Sequence, residues 1–435
     1  MPRRRLHIPL QVFSNDVLVG QLIKEPSGAI FFRYASSWLD SETAVPLSLS
    51  LPLREDAYRG EAVTSVFENL LPDSDQLKRR IAEKVGAQGI DAYSLLSQIG
   101  RDCVGALQFV PSTETANAPS AGIQGEVVGA DAIAHLLQNL AKAPLGLESD
   151  QDFRMSVAGA QEKTALLYHQ RKWWKPFGTT PTTHILKPQI GTLPNGLDLS
   201  HSVENEFYCL KLLAAFGLPV AHAEVQTFGK VKVLVVERFD RAWDRKNHLL
   251  RLPVEDLCQA LGCPPSRKYQ SEGGPGIVEI LDFLKGADSP AADQKTFLQA
   301  QIVFWLIGAT DGHAKNFSVF LGPGGTFRMA PLYDVLTAQP SAAARQIERK
   351  QMKLAVSVGH SRHYRLDEIH GRHFVQSAEH AGLPRALAQS ALTEVADTAA
   401  KALDQVEEEL SAGFPRKIHA VVRAGIISRL GKIRR

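Results

Sequence analysis

The 435-residue chain is 44% hydrophobic and 22% charged, the balance of an ordinary folded protein, which excludes a disordered, collagen-like or coiled-coil chain. With 49 Lys and Arg against 46 Asp and Glu, the net charge of +3 is too even for bulk charge to argue for nucleic-acid binding. Its longest apolar run, residues 302–309, is far short of the roughly 20 residues that span a bilayer. The basic start, Met1-Pro2-Arg3-Arg4-Arg5, has no apolar stretch after it and does not read as a signal peptide. Four cysteines (Cys103, Cys209, Cys258, Cys263) make neither a disulfide framework nor a CxxC pair and read as reduced thiols of the cytoplasm.

In chain order, residues 8–34 predict strand, turn and strand, with the turn at Pro26-Ser27-Gly28. Residues 46–53 alternate like a strand, demoted to an edge by their prolines. A helical pattern covers 63–83. Residues 111–125 are small and polar and form the best linker, and a helix follows over 130–142. Strands are expected at 165–169 and 184–187, divided by a loop containing Trp173-Trp174. Residues 204–216 form a helix closed by Gly217, and 231–239 a buried β-branched strand. Beyond it the chain reads as helical, with one hairpin: strands at 317–321 and 326–332 joined by Gly322-Pro323-Gly324-Gly325. A long amphipathic helix covers 389–411. The order is a β-rich N-terminal part, a mixed middle and a mostly helical C-terminal part.

The most informative stretch is Gly308-Ala309-Thr310-Asp311-Gly312-His313-Ala314-Lys315-Asn316, a polar loop between an apolar helix and a strand. Phosphoryl transfer needs a carboxylate to orient the attacking hydroxyl, an amide and a second carboxylate for Mg²⁺, and a lysine for developing charge. Asp311 and Asn316 have the five-residue spacing of a protein-kinase catalytic loop, and the hairpin returns Asp334 beside them. No Arg precedes Asp311, the lysine sits four residues on, and no Phe-Gly follows Asp334; a polar turn with a capping Asp is the plain alternative. Lys187, on a strand, has the type and setting to reach nucleotide phosphates, with Glu206 on the next helix as its positioning partner and Glu204 as a rival; the alternative is a surface lysine on an edge. Val235-Val236-Glu237-Arg238-Phe239-Asp240 reads as a hinge whose backbone binds adenine, or simply as core strand. Ser156-Val157-Ala158-Gly159-Ala160-Gln161-Glu162-Lys163-Thr164 is not a P-loop, having one glycine and Glu162 where a glycine would stand, yet a small-residue turn offers N–H groups to phosphates; an ordinary turn is the alternative.

Residues 156–167, 236–241 and 307–320 resemble the HipA family, the serine/threonine kinase toxins of bacterial type II toxin–antitoxin modules. The segments Asn69-Leu70-Leu71-Pro72-Asp73-Ser74, Ile99-Gly100-Arg101-Asp102 and Gly273-Gly274-Pro275-Gly276-Ile277 fit as well, and the likeness runs from about residue 12 to 420. The resemblance implies an α+β, two-lobed, protein-kinase-like fold with an extra β-rich N-terminal subdomain and a mostly helical C-terminal lobe. It implies ATP, Mg²⁺ and a HipB-like DNA-binding antitoxin, with operator DNA reached through the antitoxin complex, and no membrane. It assigns Asp311 as catalytic base and Asn316 and Asp334 as Mg²⁺ ligands. It places Ala158, Gly159, Ala160, Gln161, Glu162, Lys163 and Lys187 at the phosphates, Glu237, Arg238 and Phe239 at adenine, and His313, Lys315 and Tyr333 beside the nucleotide. Ser156 is the expected autophosphorylation site, which switches the kinase off, and glutamyl-tRNA synthetase is the best-known family substrate. The chain then divides into an N-terminal subdomain (1–110), a linker (111–128), the rest of an N-lobe with the ATP-binding turn and hinge (129–240) and a helical lobe with the catalytic loop (241–435). A small-molecule or lipid kinase using the same residues, and a catalytically silent co-repressor, are the competing readings.

Overall fold

The computed structural model describes residues 7–113, 123–147, 154–159 and 161–433. Residues 114–122 of the expected linker, Ala160 and the basic residues Arg3, Arg4, Arg5, Arg434 and Arg435 lie outside the described residues. The chain divides into two compact units. The first comprises Met1–Pro188, Gln226–Ser266 and Val319–Phe327; the second comprises Gln189–Val225, Arg267–Ser318 and Arg328–Arg435.

The first unit begins with a five-stranded antiparallel sheet in the order Tyr58–Arg59, Ile30–Tyr34, Val17–Lys24, Leu10–Ser14, Leu107–Pro111. Leu10 pairs with Leu22, Leu22 with Phe32, and Val12 with Phe109, so period-2 alternation puts these five on one fully buried face. Helices Glu61–Glu68, Asp75–Val85 and Ala92–Ile99 complete that core with Phe67, Ile81 and Leu95. Burying each such side chain contributes about 1.5–3 kcal/mol. The single helix expected over 63–83 is two helices. Pro72 has no N–H to continue the first, and Ser74 caps the second by accepting from Leu77 N at 3.3 Å. The edge strand expected over 46–53 is reduced to an isolated bridge between Ser48 and Leu51, since Pro46 and Pro52 remove ladder donors.

A six-stranded sheet follows in the order Ala223–Phe228, Val231–Glu237, His184–Pro188, Thr164–His169, Lys172–Pro176, Gly125–Val128. Helix Ala130–Gln138 covers one face, packing Ile133, Ala134 and Leu137 against Leu166, Leu186, Val233 and Val235. Trp173 and Trp174, expected in a loop, form a strand instead. Gln170 and Arg171 make the tight turn in left-handed conformations without the Asn-Gly signature of such turns. Beyond residue 240 the chain adds Arg241–Trp243, Leu249–Arg251, Val254–Asp256, Lys353–Val358 and His363–Arg365 to the one expected hairpin, strands mostly too short for a legible period.

The second unit is mostly helical. Its centre is Pro290–Ile307, buried continuously from Ala300 through Ile307. Helix Arg385–Glu409 packs on it and on Ser202–Ala215 through a stripe at Ala388, Ala391, Val395, Ala399, Ala402 and Val406, the 3–4 spacing that made its amphipathic character legible. The fold is α+β.

Candidate active site

In the second unit, helix Pro290–Ile307 has its last turns buried on every side, with Phe304, Trp305 and Leu306 fully enclosed, so the loop that leaves it starts from a fixed point. Gly308 closes the helix. Asp311 then projects outward with its side chain 58% exposed, while His313, Lys315 and Asn316 turn back and are buried. Two donors converge on the Asp311 carbonyl: His313 N at 2.9 Å and Asn316 Nδ2 at 2.7 Å. The Asp311 carboxylate accepts a short hydrogen bond from the Tyr269 hydroxyl, and its Oδ1 lies 3.9 Å from His313 Nε2.

After the strand Phe327–Met329, Ala330 N donates to the Ser318 carbonyl at 2.8 Å. The Tyr333 hydroxyl donates to the Lys315 carbonyl at 3.0 Å and accepts from Ser318 Oγ at 2.7 Å. Tyr333 thereby fixes the segment carrying Asp334 against the one carrying Asn316. Asp334 adopts φ of 57°, a left-handed conformation that aspartate tolerates better than most side chains. Five residues of sequence spacing and one hairpin thus gather Asp311, Asn316 and Asp334 into one loop cluster, as the sequence leads one to expect.

The first unit holds a separate cradle. Thr164 pairs with Leu186 and Ala165 with Ile185; one further step along this register sets Lys163 opposite Lys187 on the same sheet face. Both are buried, 4% and 6% exposed. Like charges directly across a sheet destabilise it, so two buried ammonium groups on one face call for compensating negative charge. Lys163 Nζ donates to the Ala158 carbonyl at 2.6 Å and Gln161 Nε2 to the Pro188 carbonyl at 3.0 Å, tying the turn down at both ends. Gly159 has φ of 110°, a conformation that residues with a side chain rarely adopt, and a Cβ there would lie 2.5 Å from Lys163 Nζ and displace it. The Glu162 carboxylate turns to Arg80. Ser156 is fully buried; its Oγ donates to the Leu70 carbonyl at 2.6 Å and its N to the Asp102 carbonyl at 2.9 Å. Gly159 bridges to Pro72 in parallel, which gives the Asn69-Leu70-Leu71-Pro72-Asp73-Ser74 segment its role as the seat of this turn.

Two family models match the chain: the HipA N-terminal domain over residues 10–110 and the HipA-like C-terminal domain over residues 155–403. The chain belongs to the HipA family. Among similar proteins, Y4mE of Sinorhizobium fredii is 34% identical over 407 residues, covering 92% of each chain. The serine/threonine-protein kinase toxin HipA of Shewanella oneidensis is 28% identical over 413 residues, 92% of this chain and 89% of the relative. A solved structure of the Shewanella toxin–antitoxin system, comprising HipA, HipB and operator DNA, superposes with a TM-score of 0.80 at 26% identity, covering 98% of each chain. This HipA-family chain is accordingly an enzyme of the kinase class.

Arg238 commits its guanidinium to a buried network in the first unit: Nε donates to Asp240 at 3.0 Å and Nη1 to Asp102 at 3.1 Å, while its backbone N–H goes to the Thr183 carbonyl. It therefore offers adenine neither its side chain nor its N–H. Glu237 is exposed, and the half-buried Phe239 ring meets Phe320 at 5.8 Å. Arg241 and Arg251 also reach Asp102, at 2.8 and 3.2 Å. Burial opposes ionisation of Asp102, but the guanidiniums of Arg241, Arg238 and Arg251 hold its carboxyl far below the usual carboxylate range. This network joins two of the family segments, 99–102 and 236–241, in a structural task. Lys187 lies in the first unit; Glu206 is buried on Ser202–Ala215 in the second, where Glu204 accepts from Gln189 at 2.6 Å. Sequence reasoning missed Tyr269, which has no spacing signal because it lies 42 residues before Asp311.

Proposed function

We propose that this chain is an ATP-dependent serine/threonine-protein kinase acting as the toxin of a toxin–antitoxin pair. The observation that carries the reading is the loop cluster in which Asn316 and His313 clamp the Asp311 backbone while Tyr333 fixes the segment of Asp334. Asp311, exposed on a rigid base, orients the acceptor hydroxyl and receives its proton. Lys163 and Lys187 bind phosphate oxygens, with the backbone of Ala158 and Gly159 beside Lys163. ATP supplies the transferred phosphoryl group, and Mg²⁺ offsets its charge. The residues fit that cation: Asn316 has spent its amide N–H on Asp311, which leaves its carbonyl oxygen as a hard donor, and Asp334 adds a carboxylate. Among the described residues no group of three or more His, Cys, Asp or Glu is arranged to hold a metal. Such a sparse set suits Mg²⁺, which takes its remaining ligands from phosphate and water.

The finer parts of the reading follow from the family. The antitoxin is a HipB-like DNA-binding protein through which the pair represses its operon, supported by the Shewanella structure solved with HipB and operator DNA. The substrate is a translation-related protein such as glutamyl-tRNA synthetase, and Ser156 is the site of inactivating autophosphorylation. The site of action is the cytoplasm, in keeping with four free cysteines; among the described residues no helix is long and apolar enough to cross a membrane. The test is purified protein with labelled ATP and cell lysate: a discrete labelled protein band is expected, and labelling of small molecules or lipids alone would refute it. Asp311→Asn should lower the rate about 10²- to 10⁴-fold with ATP affinity retained; transfer at the wild-type rate would end the assignment.

A further inference from the structure

We propose that Tyr269 is a positioning residue for phosphoryl transfer, holding the Asp311 carboxylate in the orientation that receives the acceptor hydroxyl. The proposal rests on the kinase reading of Asp311. An aspartate with more than half its side chain in solvent has several rotamers open to it, and proton acceptance needs one of them. The Tyr269 hydroxyl donates to Asp311 Oδ1, which leaves Oδ2 to meet the acceptor. Tyr269 is itself held from two sides. Its ring stands edge-on to the buried His313 ring, with centroids 4.8 Å apart and planes at 85°. Its carbonyl accepts from both Glu272 N and Gly274 N at 3.0 Å.

That second hold explains the glycine-rich segment 273–276, for which phosphoryl-transfer chemistry has no use. A Cβ on Gly274 would lie 1.9 Å from the Arg267 carbonyl oxygen and 2.9 Å from that of Tyr269, so the loop closes on Tyr269 only with glycine there. A Cβ on Gly276 would lie 2.0 Å from Gln270 Nε2, and Gln270 Oε1 accepts from Ser357 N at 2.6 Å. The tight loop thus anchors the residue next to Tyr269 to the strand Lys353–Val358 and transmits that rigidity to Asp311.

The experiment is steady-state kinetics of Tyr269→Phe, which keeps the ring against His313 and deletes only the hydroxyl. The expected result is a roughly 10- to 100-fold fall in kcat, the scale of a misplaced reacting group. The KM for ATP and the thermal midpoint should stay at wild-type values. Gly274→Ala should lower kcat in the same way and add nothing in the Tyr269→Phe background, because both act through one hydrogen bond. A wild-type kcat in Tyr269→Phe, a raised KM for ATP, or losses that multiply in the double variant would overturn the proposal. Absence of transfer in the wild-type protein would overturn both this proposal and the kinase reading, whereas wild-type turnover by Tyr269→Phe overturns this one alone.

Discussion

Placing a negative charge at Ser156 should expel residues 154–159 from their seat. Ser156 is 0% exposed and its Oγ points at the Leu70 carbonyl oxygen, an acceptor, 2.6 Å away. A phosphate or an aspartate there faces a lone pair instead of a donor. Burying an unpaired ion costs several kcal/mol even after relaxation. Against that stands what docking contributes: Met155 and Val157 are buried on either side, about 1.5–3 kcal/mol each, and the Oγ bond adds about 1 kcal/mol. The charge removes the bond and sets a penalty comparable to the whole of the apolar gain, so release is the lower-energy response. Ser156→Ala removes only one neutral bond, at about 1–3 kcal/mol for the Leu70 carbonyl left behind, and the segment stays docked. Arg154, half-buried at the start of the segment, gives the assay. Trypsin should cut after Arg154 slowly in wild type and Ser156→Ala and rapidly in Ser156→Asp, read by mass spectrometry. Calorimetry should show ATP affinity lost only in Ser156→Asp, because the released turn is part of the lysine cradle. If Ser156→Asp keeps Arg154 as resistant as wild type and binds ATP equally well, charge at this position does not control the site.

Three further outcomes follow from particular contacts. Asn316→Ala and Asp334→Asn should weaken nucleotide binding far more in Mg²⁺ than in EDTA; equal losses in both would mean that these residues only support the loop. Asp102→Asn should destabilise the first unit by about 3–5 kcal/mol in urea titrations, since it strips charge from a buried site holding Arg238, Arg241 and Arg251. Because its folded value is depressed, the Asp102 contribution is complete above pH 4 and is lost only as pH falls through that lower value. Glu255 has the opposite sign: burial pushes its carboxyl up from 4.5 to about 8 despite a 2.8 Å bond from Leu49 N. Between those values the unfolded chain is ionised and the folded one protonated, so stability declines by about 1.4 kcal/mol per pH unit. Glu255→Gln should remove that decline, its melting temperature gaining on wild type from pH 5 to 8; parallel curves would disprove it.

The loop chemistry was legible from the sequence because it is local. Asp311 and Asn316 are five residues apart on one turn, and Asp334 returns over a single short hairpin, so neighbouring residues and Gly-rich turns suffice to gather them. The long helix at Arg385–Glu409 and the buried strand at Val231–Glu237 were legible for the same reason, the helix by its repeating apolar spacing and the strand by its β-branched run. Tertiary structure decided the rest. Lys163 and Lys187 read separately as a turn and a strand; only the antiparallel register makes them face each other. Asp102 meets Arg238, Arg241 and Arg251 across more than 130 residues of chain, and no sequence period encodes that meeting. It follows from the need of a buried carboxylate for compensating charge, and any compatible partner along the chain meets that need. Tyr269 and Asp311 are joined in the same way, by a loop whose path is set by where Gly274 lets two carbonyls approach. Local propensity and spacing name the elements and the residue types of a site; which distant side chain completes it is settled by packing and electrostatic compensation, for which adjacency along the chain carries no information.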